Sequence, residues 1–265
     1  MKRNIKKNLI NIFYKNRFLL LISYLISFLI SIQDRMLYKD IDLSIFDFLL
    51  LMYSDHYNTM YFILPIVFLV IARDIKEIND IEIIRYKNIF EFTSQKILRF
   101  SIFIFAHIFI IYTIRFISGI GYFSFAKRLV AIEFQGFNEV LEIFNTYTDY
   151  FNNGITAILC ASLYLSLGLI FFYSILININ YKFSYKIMVG IGITLYIMAY
   201  IGFRYQTGIL SFIFLNNYLL LHQALFSNEL HIFVILIIFE ITILLYSFIK
   251  SYCLMKGEEY ENCWN

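Results

Sequence analysis

The chain has 265 residues, of which 60% are apolar and only 15% charged, with a net charge of +3 at neutral pH. The apolar residues gather in runs approaching the roughly 20 residues needed to cross about 30 Å of hydrocarbon, a pattern that no soluble core accommodates. The small positive charge is split among segments flanking those runs rather than collected on one face, which excludes nucleic acid as a partner. Three cysteines, Cys160, Cys253 and Cys263, show no metal-ligand spacing and predict no disulfide. The basic start is followed by an apolar stretch without a small-residue cleavage site, so the first apolar run is expected to stay in the protein.

Taken in chain order, residues 1–17 come first. Ile5, Leu9, Ile12 and Phe13 recur at helical spacing with Lys6, Lys7, Asn8, Asn11 and Lys15 largely around the other side, which predicts an amphipathic helix lying on the inner membrane face. Candidate spans follow at 18–32, 57–72, 100–121, 154–177, 187–203 and 230–249. Pro65 is expected to kink the second. The expected fold is therefore all-α: one polytopic transmembrane domain over residues 1–265 with about six membrane-spanning helices.

Lys and Arg residues set the orientation, because short basic loops stay in the cytoplasm. Sixteen of the 22 fall before the first span, between the second and third, between the fourth and fifth, and after the last; five fall on the other side and Arg115 lies within a span. Both termini are thus expected in the cytoplasm of a multi-pass cell-membrane protein. Asp34, Asp40, Asp42, Asp47 and Asp55 crowd the first outer loop, which lacks the glycine turn and closing Glu of an EF-hand; they read as solvated loop charges.

Between the second and third spans, residues 73–99 form the longest cytoplasmic loop. It holds no Pro or Gly and carries Ile83, Ile84, Tyr86, Phe90 and Phe92, an apolar surface expected either to meet a protein partner or to fold back on the inner ends of the spans. Before the last span, residues 207–221 are apolar but short and are interrupted by Asn216 and Asn217. With their surroundings, 204–229, they read as a re-entrant outer segment; a full crossing would instead place the tail outside.

Arg115 and Glu240 are the intramembrane charges. Each is a functional candidate, weighed against snorkelling to outer headgroups for Arg115 and a buried, hydrogen-bonded carboxyl for Glu240. His107 reads as a packing residue. Gly154, Ala157, Ala161 and Gly168 make a small-residue stripe suited to close helix contact, within the chain or with a second subunit. No phosphate loop, nucleophile elbow or zinc-protease signature occurs, so no catalytic activity, cofactor or metal is expected.

A basic amphipathic helix, two spans, a long helical loop ending in EIIRYKNIFEFTSQKILRF, three spans, a re-entrant segment and a final span together resemble the permease subunit of an ABC-2-type exporter. The resemblance implies a separate ABC ATPase subunit docked on residues 83–93, a second permease subunit as homodimer or sister chain, contact with membrane lipids, and a peptide, antibiotic or lipid-like cargo. It differs from that family in a long outer segment at 122–153 and a short first span. Two rival readings stand beside it: a stand-alone membrane immunity protein that binds a bacteriocin through its acidic outer loops, and a proton-coupled transporter built on Glu240.

Overall fold

A computed structural model describes residues 10–39, 41, 43–78, 89–126, 129, 138–201, 212, 214–225 and 230–255. They are helical nearly throughout, with one isolated bridge between Ser44 and Ser124 in place of any sheet. In chain order the helices are α1 (Arg17–Tyr38), α2 (Ile45–Ser54), α3 (His56–Lys76), α4 (Ile89–Gly119), α5 (Asn138–Tyr150), α6 (Gly154–Lys182), α7 (Tyr185–Ile201), two short turns α8 (Asn216–Leu219) and α9 (Leu221–Leu225), and α10 (Leu230–Met255). Residues 10–15 are also helical and lead into α1.

Four of these, α1, α3, α4 and α6, are long and apolar enough to cross a membrane. The apolar stretches of α7 and of α10, Tyr185–Ile201 and Val234–Ile249, are shorter. Several helices of this kind are those of a multi-pass membrane protein, and the way α1 sorts its side chains says the same thing more sharply. Its buried residues are Leu20, Ser23, Ser27 and Ser31, whereas Phe18, Leu21, Leu25 and Leu29 are exposed. Water would reverse that arrangement; hydrocarbon favours it, because hydroxyls turned inward find partners and the small serines let α1 approach α4 closely.

At the centre of the bundle is α6, which packs against α2, α3, α4, α7, α8, α9 and α10. Tyr164, Leu165, Leu169, Phe172, Tyr173, Leu176 and Ile177 are all buried along it. The small-residue stripe lies on this helix, and its contact is within the chain. Ala157 and Ala161 are buried, and a Cβ on Gly168, the middle residue of α6, would fall onto the backbone carbonyl of Tyr218. The two short turns of 216–225 therefore reach the midpoint of a 29-residue helix, and only a glycine there lets the α8 backbone in.

Two boundaries differ from expectation, each for a local reason. α1 continues six residues past 32 because Arg35 donates to the Ser118 carbonyl (3.3 Å) and sits 4.0 Å over the Tyr122 ring, which ties a charged turn to α4 and the chain after it. α4 starts at Ile89, so the part of the 73–99 segment nearest the apolar run is continuous with it, as the lack of Pro and Gly there favours. At Pro65 the helix is preceded by a π-helical turn, Thr59–Ile63, where the usual ladder is widened ahead of the ring.

Of the acidic residues at 34–55, Asp40 and Asp42 lie outside the described residues, and Asp47 departs from the expectation. Fully buried, it closes a capping box: Ser44 Oγ accepts from the Asp47 N–H, and the Asp47 carboxylate accepts from the Ser44 N–H at 3.0 Å. That cap starts α2, whose Ile45, Phe48 and Leu51 form a second small core with Leu43, Phe123 and Phe144.

The close approach at Gly168 sets a stability prediction. Gly168→Ala is expected to lower the thermal midpoint of the detergent-purified protein by the equivalent of about 1–3 kcal/mol of overpacking. Gly190→Ala, on α7 where a Cβ meets nothing within 4 Å, is expected to match the native midpoint or exceed it by up to about 1 kcal/mol.

Candidate functional site

A dense polar grouping lies where the end of α3 meets the first half of α4 and the second half of α6. Lys96 and Arg99 are three residues apart on α4 and so share a face. That face meets Asp74, near the end of α3. Arg99 Nη2 donates to Asp74 Oδ1 at 2.5 Å, Lys96 Nζ stands 3.4 Å from the same oxygen, and Tyr173 Oη of α6 donates to Asp74 Oδ2 at 2.9 Å. All four side chains are buried or nearly so, with Lys96 and Asp74 at 3% and 8% side-chain exposure.

Aromatic rings seal the cluster. Phe100 stacks on Tyr173 with centroids 4.1 Å apart, and Lys96 Nζ lies 5.5 Å over the Phe92 ring. One turn further out Thr93 Oγ1 and Tyr181 Oη are 2.8 Å apart. The segment before α1 joins the same end: Arg73 Nη1 donates to Asn16 Oδ1 at 3.4 Å and Lys15 Nζ pairs with Glu77 at 2.6 Å. The Lys15 pair is about half exposed, so it positions rather than stabilises. Asp74 is different in kind. One carboxylate holds two buried cations, so its removal leaves charge without compensation in a low dielectric.

Of the expected docking residues, Ile83, Ile84 and Tyr86 lie outside the described residues, as does the side chain of Phe90. Phe92 is fully buried, turned into the bundle beside Lys96. Arg115 is also fully buried rather than extended toward a membrane surface. Its Nε donates to Ser27 Oγ at 3.1 Å across the α1–α4 contact. His107 packs as expected, stacked on Phe103 with Nδ1 3.2 Å from Tyr24 Oη.

Glu240, on α10, is buried at 2% exposure, and its Oε1 has no hydrogen-bond partner among the described residues. Around the 216–225 insertion lies a further polar layer. Asn216 Nδ2 donates to Gln223 Oε1 at 2.5 Å, and the His222 ring lies 6.4 Å from that of Tyr147, whose hydroxyl accepts from Ser54 at 3.0 Å. Among the described residues no three His, Cys, Asp or Glu side chains converge as a metal site would require.

The Asp74 cluster escaped sequence reasoning because its members sit in a segment read as a loop. The available signal was the Lys96-x-x-Arg99 pair on an unbroken helical run, with Asp74 directly after an apolar helix. Tyr173 carried no signal among so many tyrosines. No family model, curated protein or solved structure matches the chain.

Two outcomes follow. Asp74→Asn is expected to lower stability by about 3–5 kcal/mol, whereas Tyr173→Phe, which removes one hydrogen bond, costs about 1 kcal/mol; thermal unfolding in detergent measures both.

Proposed function

We propose that this chain is the membrane-spanning permease subunit of an ABC-type exporter, working with a separate ATPase subunit and a second permease subunit. In this reading α1, α3, α4, α6, α7 and α10 cross the membrane, 204–229 is re-entrant from the outer side, and both termini are cytoplasmic. The basic ends of the helices then face the compartment where ATP is found. The chain hydrolyses nothing, and its cargo is a peptide, antibiotic or lipid-like molecule.

The observation that supports this most is the way the segment between α3 and α4 is held. The described residues on either side of it, Asp74 on α3 and Lys96 and Arg99 on α4, close one buried ionic cluster with Tyr173 of the central helix. A pull on the docking residues Ile83, Ile84, Tyr86 and Phe90 reaches the ends of α3 and α4 directly. Tyr173 passes it to α6, which packs on most of the bundle. A transporter driven by a separate motor needs such a rigid link; a passive toxin-binding protein has no use for one. Asn16 and Lys15 fasten the N-terminal helix to the same corner.

An affinity pull-down of the detergent-solubilised chain from its host, beside an Ile84→Asp/Phe90→Asp variant, tests the proposal. Recovery of an ATP-binding subunit by the native chain and its loss from the variant is the expected result. Recovery of no ATPase by either protein would replace the exporter with the stand-alone immunity or binding protein.

A further inference from the structure

The exposed cations gather at one end of the bundle. Lys15 and Arg17 at the start of α1, Arg73 and Lys76 at the end of α3, and Lys182 and Lys186 about the turn from α6 to α7 are all exposed. Contacts between these elements bring them together. Lys15 pairs with Glu77 and Arg73 donates to Asn16, which joins the first two pairs. Asp74 holds Lys96 and Arg99 of α4, and Thr93 Oγ1 of α4 lies 2.8 Å from Tyr181 Oη, next to Lys182, which joins the third. Glu77 is the one exposed acid at this end among the described residues, and Lys15 already pairs with it. At the other end of α1 stand Arg35, tied to the Ser118 carbonyl, and the exposed Lys39. The described residues thus leave one end of the bundle with an excess of positive charge, which is complementary to an anionic partner.

Arg17 is the most sharply defined point on that surface. Its guanidinium lies 4.5 Å over the Tyr14 ring and 5.1 Å over the Phe18 ring, and the two residues are 63% and 70% exposed. The backbone ladder runs through Asn16, whose N–H donates to the Ile12 carbonyl and whose carbonyl accepts from Leu20, so Tyr14 and Arg17 ride on a helix continuous with α1. Leu21 and Leu25 follow Arg17 at four-residue spacing on the same face and are 64% and 54% exposed. Between Arg17 and Arg35 the helix rises about 27 Å, close to the roughly 30 Å of the hydrocarbon layer. Arg17 therefore sits at the boundary of that layer, with Leu21 and Leu25 one and two turns inside it.

A phospholipid matches both parts of this surface. Its phosphodiester suits a guanidinium flanked by ring faces, and its acyl chains suit the leucines that follow. An acidic protein segment or a free phosphate ion answers the charge alone. The surplus of cations favours a headgroup that is net negative over a zwitterionic one. We infer that this end of the bundle binds an anionic phospholipid, with its headgroup at Arg17 and its chains along Leu21 and Leu25.

The test is scintillation-proximity binding of radiolabelled dioleoylphosphatidylglycerol to the immobilised full-length chain in non-ionic detergent, with unlabelled competitors at constant ionic strength. Unlabelled dioleoylphosphatidylglycerol is expected to displace the label at least about five-fold more effectively than dioleoylphosphatidylcholine, the effect of one cation beside an anionic headgroup. Arg17→Gln is expected to weaken phosphatidylglycerol binding by a similar factor, and Lys39→Gln, at the other end of α1, to leave it unchanged. Both positions are exposed, so both variants are expected to fold, and the thermal midpoint checks each. Equal competition by the two lipids, native affinity in Arg17→Gln, or the same loss in Lys39→Gln would each overturn the inference. Displacement by millimolar sodium phosphate or by polyglutamate would overturn it too, because charge alone would then be recognised. Lipid binding needs no ATPase and does not rest on the exporter reading. Selective lipid binding with no ATPase recovered sinks the exporter alone, and an ATPase recovered with unselective lipid binding sinks the lipid site alone.

Discussion

A side chain at the surface of this protein faces hydrocarbon, and that reverses the sorting on which soluble folds depend. On α1 the serines turn inward and the leucines and phenylalanines outward, because an unpartnered hydroxyl costs more in lipid than a leucine gains by leaving it. Everything polar is then driven into the bundle, where it must find partners. Ser27 meets Arg115, Tyr24 meets His107, and Asp74 meets two cations and a tyrosine. With no apolar drive between helices in lipid, these contacts and the close approaches that small residues permit determine which helix lies beside which.

The central helix α6 joins two such places that differ in character. Tyr173 completes the Asp74 cluster, whose carboxylate accepts from Arg99 and Tyr173 with Lys96 beside it. At its middle Gly168 admits the Tyr218 backbone. The Asp74 cluster ties α3 and α4 to the central helix.

Reading the sequence recovered the helical class, the membrane setting and the approximate course of α1, α3, α4, α6, α7 and α10. Long apolar runs are a one-dimensional property, and backbone hydrogen bonding in lipid leaves helix as the economical answer for each. It also recovered the packing role of His107 and the small-residue stripe on α6. It missed the cap at Asp47, although Ser44-x-x-Asp47 before an apolar run is a local signature. Arg115 misled because a long cationic side chain near the end of a helix can either reach a surface or turn inward, and contacts with another helix, Ser27 among them, decide between the two.

What the sequence determined by itself was composition along a line: which stretches avoid water, where the basic residues cluster, and where glycine leaves room. Only the tertiary structure decided that Asp74, Lys96 and Arg99 are one buried cluster rather than charges on a loop, and that the stripe around Gly168 receives a backbone from the same chain. The physical reason is that a charge or a glycine has no meaning in lipid without its partner. Asp74 and Tyr173 are 99 residues apart in sequence, and no periodicity within either helix encodes which of the other helices will stand opposite.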